Sequence, residues 1–67
     1  MMLYDLAQEY LRGAELLRQR IGMLNTEEKN GGLCDMELMR LRIRRDTLRA
    51  MYYEAKRTAK YLENYYR

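Results

Sequence analysis

Arg42, Arg49 and Lys56 recur every seven residues, a spacing that keeps three cations on one line of an α-helix. Tyr53 and Lys60 stand beside that line. A cationic line can follow a phosphate backbone, and a tyrosine next to it gives a base a surface to stack on. These five residues are the candidate nucleic-acid contacts of the chain. Such contacts would position a polyanion without reading its sequence. Asp46 falls in the middle of the stripe, so the competing reading is the solvated outer face that surface helices usually carry.

Other reactive types are scarce. There is no histidine and no glycine-rich phosphate loop between a strand and a helix. The adjacent pair Glu27-Glu28 is expected on a flexible loop, where nothing would shift a carboxyl toward general-acid work. The single cysteine, Cys34, cannot form an intrachain disulfide, and a lone thiol is not a metal site. Next to a turn it reads as a helix-start residue rather than a reactive thiol. No catalytic residue, metal or cofactor is expected. Arg44 and Arg45 fall on or beside an apolar stripe, where an unpaired charge is costly. An interhelical ion pair of Arg45 with Glu15 is the expected remedy, and docking of an acidic partner is the alternative.

Two helices must carry these groups. Zero prolines in 67 residues is the composition of long uninterrupted helices. Leu3, Ala7, Tyr10, Ala14, Leu17, Ile21 and Leu24 alternate at spacings of four and three, the heptad pattern of a helix with one packing seam. Leu6, Leu11, Leu16 and Met23 widen its apolar sector beyond what one partner helix needs. Asn25 reads as the end of this helix and Asn30-Gly31-Gly32 as a turn. Asp35 reads as the next N-cap, with Glu37 in the first turn. The second stripe is Leu38, Leu41, Arg45, Leu48, Tyr52, Ala55, Ala59, Leu62 and Tyr66. The spacing therefore predicts one all-α domain over 1–67, an antiparallel two-helix hairpin. Helix 1 covers about 3–25, the turn 26–34 and helix 2 about 35–66, with Leu17 and Leu48 at the centre of the core.

At 1.5 Å per residue these helices would be roughly 33 and 46 Å long. With Leu24 opposite Met36, the end of helix 2 would overhang helix 1 and carry Tyr61, Leu62, Tyr65 and Tyr66. Those four form the candidate interface, since an apolar overhang in water marks a contact site.

Charge and size complete the expectation. Residues 1–39 hold four basic and seven acidic groups, and residues 40–60 hold eight basic and two acidic groups, within a net charge of +3. Folded antiparallel, the halves attract, and the basic surplus suits a polyanion. A chain this short buries only roughly 60% of its unfolded surface. Small scaffolds usually need a staple, and with disulfide and metal set aside, self-association or a partner protein is what remains. No apolar run is long enough to span a membrane. The N-terminus, Met1-Met2-Leu3-Tyr4-Asp5, lacks the basic and apolar regions of a secretory signal. One free cysteine then predicts a reducing, cytoplasmic setting.

The frame Tyr10-Leu11-x-x-Ala14-x-Leu16-Leu17-Arg18-x-Arg20-Ile21-x-x-Leu24, then Leu38-x-x-Leu41-x-Ile43-x-x-x-x-Leu48, then Ala59-x-Tyr61-Leu62-Glu63-x-Tyr65-Tyr66 resembles small helical-hairpin proteins of Firmicutes genomes. Those proteins often occur in phage-like or conjugative mobile elements. The resemblance implies a mobile-element setting and no biochemical activity. The expected function is that of a non-enzymatic protein-interaction module, which self-associates through its apolar helix faces into a homodimeric four-helix bundle. The alternative is a nucleic-acid-binding accessory factor that uses the basic face of helix 2.

Overall fold

The computed structural model describes residues 3–65, Leu3 by its backbone alone. The stripe position Leu3 and the interface candidate Tyr66 thus lie outside the described side chains. Helix α1 runs Leu3–Asn30 and helix α2 Asp35–Asn64. They pack against each other as an antiparallel hairpin, with no strand among the described residues.

Helix α1 continues five residues beyond the expected stop at Asn25, so Glu27 and Glu28 are helical and not on a loop. Asparagine costs only a few tenths of a kcal/mol in a helix interior, and Glu, Glu and Lys after it favour helix. Termination falls instead at Gly31 and Gly32, whose φ angles are +75° and +80°, a conformation that residues with a Cβ resist. The Gly31 N–H donates to the Glu28 carbonyl at 3.2 Å and closes the last turn. Cys34, not Asp35, is the N-cap of α2, with extended backbone. The Glu37 carboxylate accepts from the Cys34 N–H at 3.4 Å. This glutamate reach-back is half of a capping box, and it frees Asp35 to sit in the first turn near the positive end of the helix dipole.

The longer α1 resets the register. Arg45 stands opposite Asn25 and Glu28 and not opposite Glu15. That shift, ten residues or more along α1, removes the expected overhang. Helices of 28 and 30 residues run nearly level, at about 42 and 45 Å, inside a molecule of 49 × 16 × 14 Å. Leu62 is half-buried at the seam, while Tyr61 and Tyr65 are exposed.

The second stripe is borne out: from Leu38 to Leu62, each of its positions is buried or half-buried. The centre of the seam, however, is made of small residues. Ala7, Ala14 and Ala59 are at most 1% exposed, and Leu41 is the only large buried side chain among the described residues. Alanines let two helix backbones approach closely, which pushes the larger side chains to the rims. Leu17 and Leu48 are accordingly half-buried, not core. Gly13 plays no part in the close approach, since a Cβ there would meet nothing within 4 Å.

Candidate functional site

The rims of the seam differ chemically. On one side, Leu11, Arg18 and Asn25 of α1 recur every seven residues, as do Arg42, Arg49 and Lys56 of α2. Polar contacts join these lines. The Asn25 side-chain oxygen accepts from Arg45 Nη1 at 3.1 Å. Glu28 accepts from Arg42 Nε at 2.9 Å and from Arg45 Nη1. Among the described residues, both ion pairs that span the helices use Glu28. Glu15 is paired within its own helix, where Arg18 donates to its two oxygens at 2.8 and 3.0 Å. The anticipated interhelical ion pair of Arg45 exists, but with a different glutamate. Arg45 is only 15% exposed, and its Nε is buried with no hydrogen-bond partner.

This geometry shifts the carboxyls. Hydrogen bonds from Arg45 and Arg42 hold Glu28 below the usual carboxylate value. Arg18 does the same for Glu15, with a smaller contribution from Lys56 across the hairpin. A lowered folded pKa stabilises the protein above the unfolded value, and the benefit is lost as pH falls through the lowered one. Glu28→Gln should therefore melt below the parent at neutral pH and approach it in acid, as both forms lose the charge. Glu15→Gln, which breaks only a local pair, should shift the melt less. Thermal melts between about pH 2 and about pH 7 decide this; equal neutral-pH melting of parent and Glu28→Gln would remove the clamp from the account.

The basic line is thus partly spoken for. Arg42 is held by Glu28, while Lys56 is exposed. Arg49, Tyr53 and Lys60 are exposed. The Tyr53 ring meets Tyr52 edge to face, with centroids 5.4 Å apart. Lys56, Arg57 and Lys60 border a groove over Leu11 that Glu63 shares.

The opposite rim carries apolar lines flanked by charged residues. Tyr10, Leu17 and Leu24 recur every seven residues along α1, and Leu41, Leu48, Ala55 and Leu62 along α2. Open grooves connect the two lines. One joins Leu6, Tyr10, Gly13 and Leu17 to Ala55, a second joins Met23 and Leu24 to Arg44 and Leu48, and a third joins Leu24 to Leu33 and Leu41 near the turn. Heptad spacing puts Tyr61, Leu62 and Tyr65 on this same side. The Tyr61 and Tyr65 rings lie 6.2 Å apart. Those candidates belong to a continuous face and not to an overhang. The heptad of leucines and Ala55 marks this face in the sequence, but its extent depends on the register of the two helices, which the sequence pattern does not specify.

Among the described residues, no cluster of three or more His, Cys, Asp or Glu is placed to hold a metal, Cys34 is exposed, and no helix is long and apolar enough to cross a membrane. Comparison of the chain with protein-family models, with curated proteins and with solved structures finds no match.

Proposed function

We propose that this chain is a non-enzymatic protein-interaction module, which self-associates through its apolar face so that two hairpins form a homodimeric four-helix bundle. The observation that carries this reading is the small core: three alanines and Leu41 are buried among the described residues, and no large side chain is fully buried. Surface area supports this reading. The chain exposes 5682 Å², whereas a compact monomer of 8.2 kDa exposes about 4,500 Å². The excess, about 1,200 Å², exceeds the roughly 800 Å² that each partner contributes to a standard interface. Sedimentation at micromolar concentration should give about twice the 8.2 kDa chain mass. A stable, helical monomer under those conditions overturns the reading.

The second reading is a nucleic-acid-binding accessory factor that works through Arg49, Tyr53 and Lys60. It has in its favour a Tyr53 side chain that is 64% exposed, and against it the engagement of Arg42 by Glu28. Only this reading gives retention on heparin or DNA that falls steeply with salt. A place in a mobile element rests on the resemblance of the heptad frame alone.

A further inference from the structure

We infer that the second copy lies antiparallel on the apolar face, turn over termini, and that Arg44 of each copy pairs with Glu54 of the other to set this orientation. The inference rests on the self-association proposed above and names its geometry.

Charge along the open face is unequal. Arg40 and Glu54 lie on one line at its α2 edge, seven residues on either side of Thr47, and Arg44 lies on the line of Met51. Toward the turn the face carries Arg20, Arg40 and Arg44 against Glu27 and Glu37; toward the termini it carries Glu9 and Glu54. Among the described residues, Glu9, Arg20, Arg44 and Glu54 take part in no ion pair. A turn-to-turn arrangement would bring Arg20, Arg40 and Arg44 of the two copies together at one end and Glu9 and Glu54 together at the other. An antiparallel arrangement sets the cationic half of each copy against the anionic half of the other, and like charges brought together are what excludes the wrong register.

The apolar groups fit the same choice. A two-fold axis that crosses α2 between Leu48 and Met51 makes Arg44 level with Glu54 of the second copy. It also lays Tyr61, Leu62 and Tyr65 over the second copy's groove beside the turn, where Leu24, Leu33 and Leu41 are flanked by Glu37, Arg40 and Arg44. The tyrosine rings are then covered while their hydroxyls stay at a wet rim. Complete overlap of two 49 Å rods uses the whole face, which the surface excess calls for.

Arg44 and Glu54 are both exposed, so Arg44→Glu and Glu54→Arg should keep the helical circular dichroism of the parent. Each variant alone turns both cross-copy pairs repulsive and should self-associate roughly tenfold more weakly. An equimolar mixture should recover the parental association, because in the heterodimer both pairs are again opposite in sign. A mixture no tighter than its components overturns the orientation. So does ready Cys34–Cys34 disulfide formation within the parent dimer: a disulfide needs Cα atoms within about 7 Å, and the antiparallel arrangement holds the two turns at opposite ends. If the parent itself sediments as a monomer, self-association fails, and the orientation with it. If the parent is a dimer and the mixture is not rescued, only the orientation fails.

Discussion

Leu41→Ala should lower the free energy of unfolding by about 2–4 kcal/mol, the largest loss expected from any single truncation in the hairpin. Leu41 is 6% exposed and is the only large side chain among the four buried residues. Ala59→Leu should cost about 1–3 kcal/mol for the opposite reason. Ala59 is fully buried at the seam, and a larger side chain there must push the helices apart. For a domain with a total stability of about 5 kcal/mol, either change approaches the whole. Leu17→Ala should cost less in the separated chain, because Leu17 is already half in water. Urea melts at low protein concentration rank the three. If Leu17→Ala proves the most damaging there, the seam is not the alanine-centred one described.

Much of this architecture was legible in the sequence, because heptad spacing is geometry written directly into residue order. The stripe from Leu38 to Leu62 gave the buried line of α2, including Arg45, whose charge did not remove it from the seam. The end of α1 was not legible from the same signal. Beyond Leu24 the seam passes to Asn25 and Glu28, which a hydrophobic pattern cannot register. Asn25 resembles a helix end only by type. The stronger mark was the pair Gly31-Gly32, which alone could take the positive φ that the turn requires. Ending the helix too early moved the register and turned Tyr61, Leu62 and Tyr65 into an overhang.

The basic line shows the converse. Its heptad spacing keeps it on one line of α2, yet spacing says nothing about what faces a helix from across a hairpin. The acidic first half and basic second half meet at Glu28, which holds Arg42 and Arg45. Charge that looked available to a polyanion is thereby partly consumed in the fold. What the pattern left over, an apolar rim with unequal charge at its two ends, becomes visible only once the register is known.

Met51→Asp should convert the dimer to a monomer while leaving the hairpin folded. In the single chain Met51 is 49% exposed, so a carboxylate there remains solvated and disturbs little. In the antiparallel dimer it lies beside the two-fold axis, where one substitution acts twice. Losing two buried methionine contacts should weaken association by about 2–4 kcal/mol, roughly 30- to 1,000-fold in the dissociation constant, and the two carboxylates would also face each other. The melting temperature carries the same information independently. A dimer binds the native chain and not the unfolded one, so the parent should melt higher as protein concentration rises. Met51→Asp should melt at one temperature at all concentrations, close to that of the dilute parent. A variant that still sediments at twice the chain mass would place the interface on another face. A variant that loses its helical signal at every concentration would instead make Met51 part of the hairpin's own core, against its exposure.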